Sequence, residues 1–73
     1  MTPKHYDQTI PPIQYMQSVM TAEEFKGFLK CNIIKYIARA DQKGGAADYY
    51  KAYVYARWLS EFATFGKIDF NGD

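Results

Sequence analysis

From Phe25 to Ala40 the apolar residues recur at spacings of three and four: Phe25, Phe28, Leu29, Ile33, Tyr36, Ile37 and Ala40. At about 100° per residue they line one stripe of an α-helix, and a helix with one apolar stripe must cover it. Immediately upstream, Thr21-Ala22-Glu23-Glu24 has the form of a capping box, in which the threonine hydroxyl and the N3 glutamate each satisfy an orphan backbone donor. These features predict a long helix over 22–41. Ile34 points away from the stripe, toward the side carrying Glu23 and Lys30.

What covers the stripe comes next in the chain. Asp41-Gln42-Lys43-Gly44-Gly45 reads as a connection, because two adjacent glycines end a helix and permit positive φ. A second long helix is expected over 46–65, with Gly66 just past its end. Its main stripe is Ala52, Tyr55, Ala56, Leu59, Phe62 and Ala63, and Tyr50, Val54, Trp58 and Phe65 form a second apolar band. So short a connection implies an antiparallel hairpin. The second band calls for a further neighbour, for which a second copy of the chain is the expected candidate.

The flanks are weaker in pattern. All three prolines, Pro3, Pro11 and Pro12, lie in residues 1–12, which read as an extended arm. Pro12 suits the first turn of a short helix over 13–20 carrying Ile13, Tyr15, Met16 and Met20. Residues 66–73 read as a polar tail with a turn at Asn71-Gly72. The predicted fold is therefore all-α, an arm and short helix followed by an antiparallel two-helix hairpin, assembled into a homo-oligomeric helical bundle.

Composition narrows the function. Seventy-three residues make one small domain, and the single cysteine, Cys31, excludes an internal disulfide, which leaves self-association as the expected supplement to stability. Cys31 has no evident activating base and reads as a small packing residue. A formal charge of +1 gives no electrostatic footprint for nucleic acid, so any cationic site must be local. There is no apolar run of membrane-spanning length and no secretory signal, so a soluble intracellular protein is expected, with no membrane partner. The phosphate-binding loops Gly-x-x-x-x-Gly-Lys-Ser/Thr and Gly-x-Gly-x-x-Gly are missing, as is any histidine and cysteine cluster for zinc.

One set of side chains interrupts the apolar pattern. Asn32, Lys35 and Arg39 fall within about 60° of one another on the first long helix. Asp48, Lys51 and Tyr55 repeat the same i, i+3, i+7 spacing on the second. In an antiparallel pair these strips face each other: Asn32 comes level with Tyr55, Lys35 or Tyr36 with Lys51, and Arg39 with Asp48. Arginine offers a planar fork for phosphate oxygens and lysine a compact charge, so Lys35, Arg39, Lys43 and Lys51 are candidates to hold a phosphate or diphosphate. Tyr6, Tyr36 and Tyr55 are candidates to stack on a base, Asn32 to pair with a base edge or sugar, and His5 to touch phosphate. The same residues fit a purely structural account, in which Arg39 pairs with Asp48, Asn32 bonds Tyr55, the lysines form a solvated rim and His5 is exposed.

At these residues the chain resembles small phage proteins long filed as a domain of unknown function and labelled nucleotide-kinase-like or SaV-like. The shared pattern is His5-Tyr6, then Asn32-x-Ile34-Lys35-Tyr36-x-x-Arg39, then Lys43, then Asp48-x-x-Lys51-Ala52-x-x-Tyr55, with Tyr49 and Ala56 where that group usually has leucine. The resemblance implies a phage-encoded protein in the cytoplasm of the infected host, binding a nucleotide. One branch phosphorylates deoxynucleoside monophosphates but carries additional sequence. Two functions follow as expectations. One is a nucleoside monophosphate kinase-like phosphotransferase without a P-loop, a reaction class that usually uses magnesium, which is the one cofactor expected and only in that case. The other is a non-catalytic sponge for a cyclic or other signalling nucleotide in an anti-defence role. A third and weaker reading is an inhibitor docking on a host protein through exposed aromatics.

Overall fold

The computed structural model describes residues 12–70. Helix α1 runs Pro12–Val19, α2 runs Ala22–Arg39 and α3 runs Gly45–Phe65, with a π-helical turn, Ala40–Gly44, joining α2 to α3. Among the described residues there is no strand, and the fold is all-α as expected. No described helix is long and apolar enough to cross a membrane. The extended arm expected over 1–12, with His5 and Tyr6, lies outside the described residues except for Pro12, which instead opens α1.

The start of α2 follows directly from its sequence. The Thr21 hydroxyl accepts from the Glu24 amide at 3.2 Å, and the Thr21 amide donates to the Glu24 carboxylate at 2.8 Å. Both halves of the capping box are thus made. The end differs from expectation: α2 stops at Arg39 rather than 41, and the chain winds on through the wider π turn, in which the Gly45 amide reaches back to the Ala40 carbonyl. Only one of the two glycines uses its conformational freedom there. Gly45 has φ of 57°, whereas Gly44 is right-handed helical at φ −84° and ψ −23°. At the far end of α3, Gly66 at φ 80° donates to the Phe62 carbonyl at 2.7 Å, the expected left-handed stop.

Helices α2 and α3 form the antiparallel hairpin. Phe25 meets Phe62 edge-on at 5.1 Å between ring centroids near one end, and Arg39 meets Asp48 at 3.3 Å near the other, so both pairs obey one register. The core sits at the Phe25 end. Phe25 and Leu29 are fully buried, and Phe62 and Ile68 join them, with Ile13, Met16 and Met20 packed alongside.

Three expectations are corrected here. The tail is not merely polar: Ile68 is 4 % exposed and Phe70 lies edge-on to Trp58 at 5.5 Å. The cause is Gln17 on α1, whose side chain accepts from the Ile68 amide at 2.6 Å and donates to the Ile68 carbonyl at 3.2 Å, holding the tail backbone down. Asn71 and Gly72 lie outside the described residues. The second apolar band of α3 is therefore partly covered by the chain itself at Trp58, while Tyr50 and Phe65 stay exposed. Lastly, Cys31 is exposed rather than packed, and Ile37, Ala56 and Ala63 of the expected stripes are exposed too.

Candidate functional site

The hairpin's other end is built from polar residues, and α2 and the start of α3 position it. Tyr36, half-buried on α2, stacks on Tyr55 of α3 with centroids 5.7 Å apart and planes inclined by 19°. Three cations lie over the Tyr36 ring: Lys35 at 4.7 Å, Lys51 at 5.4 Å and Arg39 at 5.7 Å. All are within cation–π range, so the negative ring face offsets part of their mutual repulsion. Lys35 and Arg39 come from α2 and Lys51 from α3, so the group forms only when the hairpin closes.

Asp48 is the counter-ion. Its side chain is 3 % exposed; Oδ2 lies 3.3 Å from Arg39 Nε and Oδ1 lies 4.0 Å from Lys51 Nζ, while the two cations are about half exposed. The Arg39 contact is close enough for ion pairing but lacks hydrogen-bond alignment, and the buried Oδ2 has no hydrogen-bond donor among the described residues. A buried carboxylate so thinly supplied depends on its two neighbouring cations. With Asp48 set against Lys35, Arg39 and Lys51, the cluster keeps two positive charges unmatched among the described residues.

The remaining expected residues divide. Tyr55 is held among Phe28, Tyr36 and Trp58, and burial, then the neighbouring Tyr36 phenol, pushes its hydroxyl above the usual phenol range. Asn32 is 9 % exposed, and its Nδ2 donates to the Phe28 carbonyl of its own helix at 2.9 Å rather than bonding Tyr55. Lys43 stands exposed on the π turn and is not one of the cations over Tyr36. Next to it, the Tyr49 hydroxyl donates to Asp41 Oδ1 at 2.6 Å, and this bond, with the charge of Asp41, raises the Tyr49 phenol. Sequence spacing thus finds Lys35, Tyr36, Arg39, Asp48, Lys51 and Tyr55 as one group. It passes over Gly44, on which the Asp48 carboxylate closely packs.

Fold and site together define a small all-α hairpin that carries a cationic, aromatic-floored cluster between its two long helices. The chain belongs to the family described as a protein of unknown function, DUF3310, which matches residues 1–57 and so encloses every candidate residue from His5 to Tyr55. No curated protein and no solved structure matches it.

Proposed function

We propose that the protein binds a (deoxy)nucleotide, holding its phosphates with Lys35, Arg39 and Lys51 in a cationic groove between α2 and α3. The observation that carries this reading is the convergence of those three cations on one ring, Tyr36, with one carboxylate, Asp48, beside them among the described residues. Three ammonium and guanidinium groups drawn together repel one another, and a bound phosphate relieves that repulsion while accepting charge-assisted hydrogen bonds. Tyr36 and Tyr55 supply aromatic surface for a base, and the family resemblance adds His5, Tyr6 and Lys43 as further candidates. The resemblance to phage nucleotide-kinase-like proteins favours a phage protein acting in the host cytoplasm, and the exposed Tyr50 and Phe65 of the second apolar band favour a homo-oligomer.

Calorimetry against mononucleotides and cyclic di- and trinucleotides tests this reading. Saturable binding is expected in the wild type and weakened binding in Lys35→Ala and Arg39→Ala, with helix content by circular dichroism retained. Equal affinity in wild type and both variants would remove the assignment. Incubation with labelled ATP and a monophosphate panel then separates phosphoryl transfer from sequestration, since only the former yields a labelled diphosphate.

A further inference from the structure

Asp48 carries a cation to each of its oxygens, and the space it uses is borrowed from Gly44. A Cβ built on Gly44 would collide with the Asp48 carboxylate. Backbone conformation does not require glycine there, because φ −84° and ψ −23° suit any residue and glycine is a poor helix former. Among the described residues, what calls for glycine at position 44 is the carboxylate lying against it.

We propose that Gly44 and Asp48 act together as a positioning device for the anion site: Gly44 leaves the space in which the carboxylate is buried, and the carboxylate holds Arg39 and Lys51 at the Tyr36 ring. This rests on the reading of the cluster as an anion site and deepens it by assigning Asp48 a role other than ligand contact. Of the Arg39 nitrogens it is Nε that faces Oδ2, so the terminal nitrogens of the fork remain for an incoming phosphate. Lys51 is one turn along α3 from Asp48 and faces Oδ1, so one buried group ties a cation from each helix. The orphaned Oδ2 explains why this arrangement is held: a carboxylate that is 3 % exposed and lacks a hydrogen-bond donor keeps its cations close.

Charge alone and positioning make opposite predictions. Asp48→Asn raises the cluster from two to three unmatched positive charges, and Coulomb attraction by itself would tighten anion binding. Positioning requires the reverse, because Arg39 and Lys51 lose the group that gathers them. Gly44→Ala changes no charge, yet its Cβ displaces the carboxylate and should weaken binding in the same way.

The test is titration of inorganic pyrophosphate into the full chain, wild type and variants, by calorimetry. Both Asp48→Asn and Gly44→Ala are expected to raise Kd about tenfold. Gly27→Ala, whose added Cβ meets no atom within 4 Å, serves as the glycine control and should bind as the wild type does. Helix content by circular dichroism checks that each variant folds. Nitrogen-15 spectra of the Arg39 Nε–H, recorded without ligand, provide a second readout: the resonance should move in Gly44→Ala and stay in Gly27→Ala. If wild type and Arg39→Ala both fail to bind pyrophosphate, the anion-site reading falls, and the Arg39 resonance still decides the Gly44 packing. If Arg39→Ala loses binding while Asp48→Asn binds as tightly as wild type or tighter, or if Gly44→Ala leaves both affinity and the Arg39 resonance unchanged, positioning by this pair is overturned.

Discussion

The two ends of the hairpin are made of the same two helices but of opposite chemistry. At one, Phe25, Leu29, Phe62 and Ile68 exclude water, and α1 and the tail close over them. At the other, Tyr36 carries three cations and the buried polar group is a carboxylate with incomplete hydrogen bonding. Burial of aliphatic and aromatic surface stabilises by roughly 25 cal/mol per Å², whereas gathered like charges and a thinly paired carboxylate contribute little or oppose folding. Stability therefore concentrates at the Phe25 end, and the cations of the proposed anion site at the Tyr36 end. Separating them along the hairpin allows a cluster of like charges to persist because a distant core holds its two walls together.

Breaking the core end gives the largest expected effect. Phe25→Ala removes a fully buried ring in edge contact with Phe62 and should cost about 3–5 kcal/mol. A domain of this size has roughly 4–11 kcal/mol in total at the usual stability per residue, so the urea midpoint should fall steeply. An equally large fall in Lys35→Ala, at the other end, would contradict the division of labour. Next in size is Gln17→Ala, which deletes both hydrogen bonds to Ile68 and should cost about 1–3 kcal/mol. Because Phe70 lies on Trp58, the only tryptophan, release of the tail should shift tryptophan emission to the red before global unfolding. Emission that tracks the helix signal without such a step would show that the tail is not held separately by Gln17.

The contrast between the ends also explains what can be read from the chain. The capping box at Thr21, the stripe from Phe25 to Tyr36 and the left-handed stop at Gly66 are local, so periodicity and glycine placement are enough to reveal them. The register of the polar strips is legible for the same reason, since Arg39 and Asp48 follow from a short connection and constant spacing. The tail is not. Ile68 is isolated between Lys67 and Asp69, and its burial depends on Gln17, 51 positions away, which no local pattern encodes. Gly44 misleads for a related reason: beside Gly45 it looks like part of a flexible break, although its role is to leave room for a side chain four residues on. The one hint in the chain is that a single positive-φ glycine suffices to leave a helix.

Smaller effects sharpen the comparison further. Thr21→Ala, which removes the hydroxyl half of the capping box at the core end while the backbone amide of residue 21 can still donate to Glu24, should cost about 1 kcal/mol in chemical denaturation and leave nucleotide affinity unchanged. A change in affinity would mean that the start of α2 communicates with the site at its end.

The smallest effect is expected at Tyr55, which touches both regions: Phe28 and Trp58 on one side and Tyr36 on the other. Burial raises its phenol above the value of the unfolded chain, with a further push from Tyr36. Below the unfolded pKa of about 10 both states hold the proton, and the stabilisation that burial of the neutral phenol provides is fully present. As pH rises from about 10 through the folded value, the unfolded state releases its proton first, so stability falls. Tyr55→Phe keeps the ring and removes the titration. It should therefore resemble wild type in urea at neutral pH and lose less stability than wild type on the alkaline side. Tyr49 has the same sign for a different reason, its bond to Asp41, and at the exposed surface that bond is screened by solvent. Tyr55→Phe should consequently flatten the alkaline limb more than Tyr49→Phe does. The opposite order would place the more strongly buried phenol at the connection between the helices, and the boundary between dry core and polar site would have to be redrawn.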